Sequence, residues 1–156
     1  MAMTDGIVFR AATRTDLEAI VDLLADDFLG ETRESPGTPL HADYTDAFSA
    51  IEADPHQMLL VADKDGAIVG CLQITIIPGF ALRGLRRGQI EGVRVATSER
   101  GSGIGHDMLQ WAIEECRRRD CGLVQLTMDK SRSDARRFYE SLGFVASHDG
   151  FKLKFG

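Results

Sequence analysis

The run Arg100-Gly101-Ser102-Gly103-Ile104-Gly105 places glycine at alternate positions behind a cation. Glycine lets a backbone turn tightly and approach a ligand with no Cβ in the way. Gln89 to Val95, just before the run, reads as a strand, and Ile104 opens a helical stripe. The first amides of a helix have no internal partners and, with the helix dipole, attract an anion such as a pyrophosphate. Arg100 can add a charge-assisted contact, and His106 stands at the helix start, where it either meets phosphate or is simply exposed. Two other phosphate loops fit less well. The dinucleotide fingerprint needs a glycine three places after its second, and here that place is His106. The P-loop needs Gly-Lys-Ser/Thr, and the chain has none.

The elements around this run follow from spacing. Gly6 to Ala11 reads as a first strand. Thr15-x-x-Glu18 has the form of a capping box, and Leu17, Ile20, Val21, Leu24 and Phe28 recur at helical spacing. Gly30 to Pro39 is a loop, and Tyr44, Ala47, Phe48 and Ile51 mark a second helix that stops near Asp54-Pro55. Met58 to Ala62 and Ala67 to Ile77 are strands joined by the turn Asp63-Lys64-Asp65-Gly66. Gly79 to Gly88 is a loop carrying Arg83, Arg86 and Arg87. A long amphipathic helix starts at Ile104 and ends in Arg117, Arg118 and Arg119, which suit its negative pole. Leu123 to Met128 is a strand, and a last helix carries Ala135, Phe138, Tyr139 and Leu142, with Gly143 as its cap. Phe144 to Ser147 and Phe151 to Phe155 are expected to close as a hairpin around Asp149-Gly150. The order is β-α-α-β-β-β-α-β-α-β-β, an α/β fold with a mixed sheet flanked by helices. Residues 1–156 read as a single domain.

Bulk composition excludes several classes. A net charge of −6 argues against a general nucleic-acid binder. No stretch has the roughly 18 apolar residues that a membrane helix needs. Asp5 precedes any apolar run, which argues against a signal peptide, so a cytoplasmic location is expected. Cys71, Cys116 and Cys121 follow no metal spacing and read as free thiols. His41, His56, His106 and His148 are scattered, and no metal site is expected.

Taken with a second motif, the glycine run resembles that of the GNAT acetyltransferase superfamily. That family's loop has the form Arg/Gln-x-x-Gly-x-Gly/Ala, which Arg100 to Gly105 matches at each fixed position. Its later signature, Ala-x-x-x-Tyr before a Leu-Gly-Phe turn, is matched by Ala135 to Phe144. The resemblance is sharpest from Gln89 to Phe144 and covers nearly the whole chain in element order.

The resemblance implies an N-acetyltransferase that takes acetyl-CoA as co-substrate, without a metal. The acceptor would be a primary amine of a small molecule or a protein. Val93 and Val95 would pair with the pantetheine arm, with the Val93 amide near the thioester oxygen. The amides of Gly101, Ser102, Gly103, Ile104, Gly105 and His106 would hold the pyrophosphate. The strands Gln89 to Val95 and Leu123 to Met128 would splay around the cofactor. Tyr139 stands where the family often has the acid that protonates the leaving thiolate, and Glu91 where some members carry a base. Each also has a plain reading, as a packing tyrosine and a salt-bridged strand residue. Arg132 occupies the place of a common cofactor-contacting asparagine and is expected to reach a phosphate instead, with Arg136 nearby. Thr97 replaces a frequent proline. Asp27, Glu31 and Glu34 border the implied acceptor side, as an acidic mouth or as a solvated helix end. The fold is compatible with a homodimer. A non-catalytic acyl-CoA-binding regulatory module is the alternative from a different class.

Overall fold

Met58 to Ala62 is apolar at consecutive positions, the pattern of a strand covered on both faces. In the computed structural model, which describes residues 3–4 and 6–156, Leu60, Val61 and Ala62 are fully buried in β3 (Gln57–Lys64) at the centre of a six-stranded sheet. The other strands are β1 (Met3–Thr4), β2 (Ile7–Ala11), β4 (Ala67–Ile77), β5 (Arg87–Val95) and β6 (Leu123–Leu126). They lie in chain order, antiparallel throughout except for the parallel pair β5–β6. A parallel pair needs a crossover, and the helix α4 (Ile104–Arg118) supplies it. Its buried stripe, Ile104, Met108, Leu109, Ala112 and Cys116, packs against Leu60, Leu72, Ile74 and Ile90 on one face of the sheet. On the other face α1 (Leu17–Ala25) and α2 (Ala42–Ala53) pack Leu17, Ile20, Leu23 and Phe48 against Val61 and Cys71.

Local chemistry sets the boundaries. The β3–β4 turn puts Asp65 and Gly66 both at positive φ, 52° and 88°, which matches the twist of an antiparallel pair. The entry to α1 differs from expectation. Its capping box is not Thr15–Glu18 but Thr13–Asp16, where the Asp16 carboxylate accepts the Thr13 amide (2.7 Å) and hydroxyl (3.1 Å). Asp16 also pairs with Arg10 of β2 (2.7 Å), and this partner outside the helix favours the earlier box. Between β4 and β5 a single turn, α3 (Ala81–Gly84), includes Leu82 and Arg83 in the left-handed region.

The last helix, α5 (Ser133–Ser141), ends in a Schellman motif: the Gly143 amide donates to the Glu140 carbonyl and the Phe144 amide to that of Tyr139. Gly143 takes φ 94°, as the motif requires. The expected closing hairpin does not form. Residues 144–156 adopt no strand and pair with no strand of their own chain among the described residues. A two-stranded hairpin needs a surface to pack on, and residues 145–156 are exposed at every position.

Candidate functional site

The site begins with the way two strands part. β5 pairs with β6 only from Arg87↔Leu123 to Ile90↔Leu126. From Glu91 to Val95, β5 keeps β4 as its partner and has no strand on its other side among the described residues. A bulge begins at the same point. Glu91 opposes Gln73 and Arg94 opposes Cys71, so Gly92 and Val93 together face Leu72. Gly92 takes φ 64°, which its missing side chain permits. The result is a cleft between β5 and β6 walled by the bulged half of β5, with Val93 and Val95 half-buried against the main core.

The glycine run lies beyond Val95, at the start of α4. Gly101 (φ 82°) and Gly103 (φ 91°) have open space where a Cβ would stand. Gly105 differs: a Cβ there would lie in ordinary contact with Val95 (3.4 Å) and Phe138 (3.6 Å), on the side of α4 that faces β5 and α5. Ile104 is buried, which leaves its first-turn amide as the group that can meet a ligand. The Ser102 amide is already engaged with the Glu99 carbonyl. Lys64 holds Glu99 at 2.8 Å and Asp26 accepts from the Thr97 hydroxyl at 2.8 Å, so the chain entering the loop is tied to its surroundings at two points. Arg100 and His106 are exposed, and His106 lies 3.4 Å from Asp107. Arg136 is exposed and pairs with Glu140 along its own helix.

Tyr139 is held edge-on between Phe138 (5.3 Å) and Phe144 (6.0 Å), the second contact set by the Schellman turn. Its hydroxyl has no hydrogen-bond partner among the described residues. Burial pushes its pKa above the ordinary phenol value, against the opposing pull of Arg132 and Arg94. Those two arginines meet at Asp27. Arg132 hydrogen-bonds Asp27 Oδ2, and Arg94 Nε lies 3.1 Å from the same oxygen, near enough to pair but off line for a hydrogen bond. The Gly30 amide donates to Asp27 Oδ1 at 2.6 Å. Burial tends to raise the Asp27 pKa, but the Gly30 amide and the two arginines hold it below the usual carboxylate value. Two guanidinium groups sharing one carboxylate leave a surplus positive charge beside Tyr139.

The three acids expected at the acceptor side therefore differ. Asp27 is neutralised by arginines, Glu34 accepts the Tyr44 hydroxyl at 2.6 Å, and Glu31 is exposed. Glu91 is exposed on β5 next to the bulge.

Two features escaped the sequence reading. One is Arg94, whose only local sign is a charge inside a strand. The other is a polar row across four strands, in which Gln57 faces Thr75, Thr75 faces Gln89 and Gln89 faces Gln125. Gln57 accepts from Thr75 (2.8 Å) and Gln73 (3.0 Å), and Gln125 donates to Gln89 (2.8 Å). The alternation of Gln73 with Thr75 and of Gln89 with Glu91 is its trace in the sequence. Among the described residues no group of three His, Cys, Asp or Glu side chains is gathered to hold a metal ion, and no helix is long and apolar enough to cross a membrane.

Residues 17–144 match the model of the acetyltransferase (GNAT) family. An aminoalkylphosphonate N-acetyltransferase from Salmonella typhimurium is 29% identical over 143 residues, covering 91% of this chain and 87% of its own. A glucosamine 6-phosphate N-acetyltransferase from Trypanosoma brucei brucei is 35% identical over 88 residues, covering 56% of this chain and 58% of its own. A crystal structure of a protein described as a transcriptional regulator, from Bacillus halodurans, is 48% identical and superposes with a TM-score of 0.93, covering 96% of this chain and 99% of that one.

Proposed function

The chain belongs to the acetyltransferase (GNAT) family, and from that premise we propose that it moves an acetyl group from acetyl-CoA to the primary amine of a small molecule that also carries an anionic group. The observation that carries this reading is the convergence on one cleft of the β5–β6 opening, the exposed amides at the start of α4 and the half-buried Tyr139.

The residues fit a pyrophosphate and pantetheine. The open space over Gly101 and Gly103 and the positive pole of α4 suit the phosphates, with Arg100 at the rim. The amides that would serve are those of Gly101 and Gly103 to His106, since that of Ser102 is engaged. Val93 and Val95, on the unpaired edge of β5, would offer backbone groups to the pantetheine arm, and the Val93 amide is our candidate for the oxyanion donor. Acetyl-CoA, when bound, supplies an activated thioester carbonyl.

A protonated amine has no lone pair, so a base must first take its proton. Glu91, exposed at the bulge, is our candidate for that base. Tyr139 would donate a proton to the departing sulfur, and the burial that raises its pKa keeps it protonated at neutral pH.

The Arg94–Arg132 pair supports an anionic acceptor. Its surplus charge suits a phosphoryl or phosphonyl oxygen better than a second cation. The names of both acetyltransferase relatives describe acceptors that bear such a group. Arg132, expected at the cofactor phosphates, is held on Asp27 and is assigned here to the acceptor side.

The test is thiol release from acetyl-CoA against paired primary amines, with and without a phosphate or phosphonate. Tyr139→Phe should lower kcat by about 100-fold, the usual scale for a lost general acid, with little change in KM for acetyl-CoA. Arg94→Leu should raise KM about tenfold or more for the anionic amine but not for its neutral partner. Unchanged turnover and pH profile in Tyr139→Phe would remove the acid role. Equal use of neutral and anionic amines would remove the acceptor assignment.

A further inference from the structure

Cys116 and Cys121 stand at the two contact positions of one helix ending. Where α4 stops, the Asp120 amide donates to the Arg117 carbonyl (3.0 Å) and the Cys121 amide to the Cys116 carbonyl (3.0 Å), with Asp120 at φ 59°. These bonds form a Schellman motif, and they make Cys116 and Cys121 the residues whose side chains meet across the turn. With ordinary backbone bond lengths, the second bond keeps their Cα atoms no more than roughly 7 Å apart, and nearer where the linking bonds are out of line. A disulfide spans about 4.4–6.8 Å between Cα atoms. The helix ending thus presets the spacing that a disulfide needs.

The two thiols differ in access. Cys116 is fully buried, and its sulfur fills the space left by the missing side chain of Gly88 on β5. Cys121 is half-buried at the edge of the same core. Both are free thiols. Burial pushes Cys116 up to about 12, and the neighbouring Cys121 pushes it the same way. Burial also raises Cys121, but there Arg86, the Cys116 thiol and Arg119 oppose it. The reachable sulfur therefore has the cations beside it, and the protected one lies behind it. Cys71 takes no part, because it lies in the core on the opposite face of the sheet.

We propose that Cys116 and Cys121 form a reversible intramolecular disulfide, with a hydroperoxide as the oxidant. With hydrogen peroxide, the Cys121 thiolate attacks one oxygen and the O–O bond breaks. A sulfenic acid forms, and the other oxygen leaves as water after taking a proton. The Cys116 sulfur then displaces the sulfenic hydroxyl, which leaves as a second water with the Cys116 proton, and the S–S bond forms. Two thiols lose two electrons and two protons, and the peroxide is reduced to two waters. A small dithiol reverses the bond by exchange. The bond ties the last turn of α4 to the residues that lead into β6, one of the two strands that part at the cleft.

Arg117, Arg118 and Arg119 lie between the two cysteines, so trypsin separates them in the reduced chain. The folded full chain is treated with hydrogen peroxide, blocked with N-ethylmaleimide and digested without reductant. The intact mass should fall by about 2 Da, with the Cys116 and Cys121 peptides joined by a bond that dithiothreitol breaks. The bond should form at least about tenfold faster than Cys71 is oxidised in the same sample. Cys71→Ala should give the same linked pair. In Cys121→Ser, Cys116 should stay reduced, because burial shields it. Oxidation of Cys121 to a sulfinic or sulfonic acid with no link to Cys116 would overturn the proposal. So would a link through Cys71 or between two chains, thiols that all stay reduced, or Cys116 oxidised as fast in Cys121→Ser as in the parent.

Discussion

Asp16 shows how one side chain links three parts of the chain. It is 6% exposed, caps the entry to α1 through Thr13 and pairs with Arg10, which also holds Asp63 at 2.9 Å. The Arg10 hydrogen bond is the main cause that lowers its pKa below the ordinary 3.8. Because the folded carboxyl titrates below its unfolded value, its contribution is complete above about pH 4 and is lost as pH falls through the depressed value. Asp16→Asn should therefore cost about 2 kcal/mol at pH 7, on the scale of a broken, largely buried charged pair. Urea unfolding at pH 7 and near pH 2 checks this, and the gap between variant and parent should close in acid. A gap of equal size at both pH values would show that packing, not charge, is lost. Asp27 is a similar case at the candidate site, and its partners are harder to read from the sequence. Its partners Arg94 and Arg132 lie far away in the chain, so nothing local in the sequence distinguishes a neutralised acid from an acidic mouth.

Elements were legible where a period or a turn residue fixes them. The amphipathic stripe of α4, the Asp65-Gly66 turn and the Leu142-Gly143-Phe144 ending of α5 all lie where spacing places them. The bulge in β5 was not legible, because it is defined by the register of two strands and not by either alone. Glycines divide in the same way. Gly103 has open space at its Cβ position and φ 91°, whereas Gly88 faces Cys116 with only 2.3 Å from its Cβ position to Sγ. Gly88→Ala should thus wedge β5 from α4 and cost about 2 kcal/mol, the scale of an overpacked core. Cys116→Ala in the same chain should return part of that loss, since contacting sites couple. Gly103→Ala should cost about 1 kcal/mol for its left-handed backbone and weaken acetyl-CoA binding, which Gly88→Ala should leave largely intact. Thermal melts with and without acetyl-CoA separate the two effects, and equal losses of affinity would argue against the loop as the phosphate cradle.

At the scale of the whole molecule, the order of elements was readable through α5, but the fate of residues 144–155 was not. Their alternation reads as a strand, yet a two-stranded hairpin needs a surface to pack on, and the alternation does not say whether one is there. The cleft lies between two such levels: its glycines are local, and its opening exists only because β6 stops at Leu126 while β5 continues to Val95. A ligand that spans this opening must bind the folded chain and not the unfolded one, so it must stabilise the whole fold. At a concentration a hundredfold above its dissociation constant the gain is about 2.7 kcal/mol. For a domain of this size each kcal/mol moves Tm by roughly 2–4 °C, so saturating acetyl-CoA should raise Tm by about 5–10 °C. ATP and NAD share the phosphates but lack the pantetheine that β5 would bind, and each should give a small fraction of that shift. A full shift with ATP or NAD and none with acetyl-CoA would mean that the loop binds phosphates while the open edge of β5 binds nothing, and the acetyl-CoA assignment would fall.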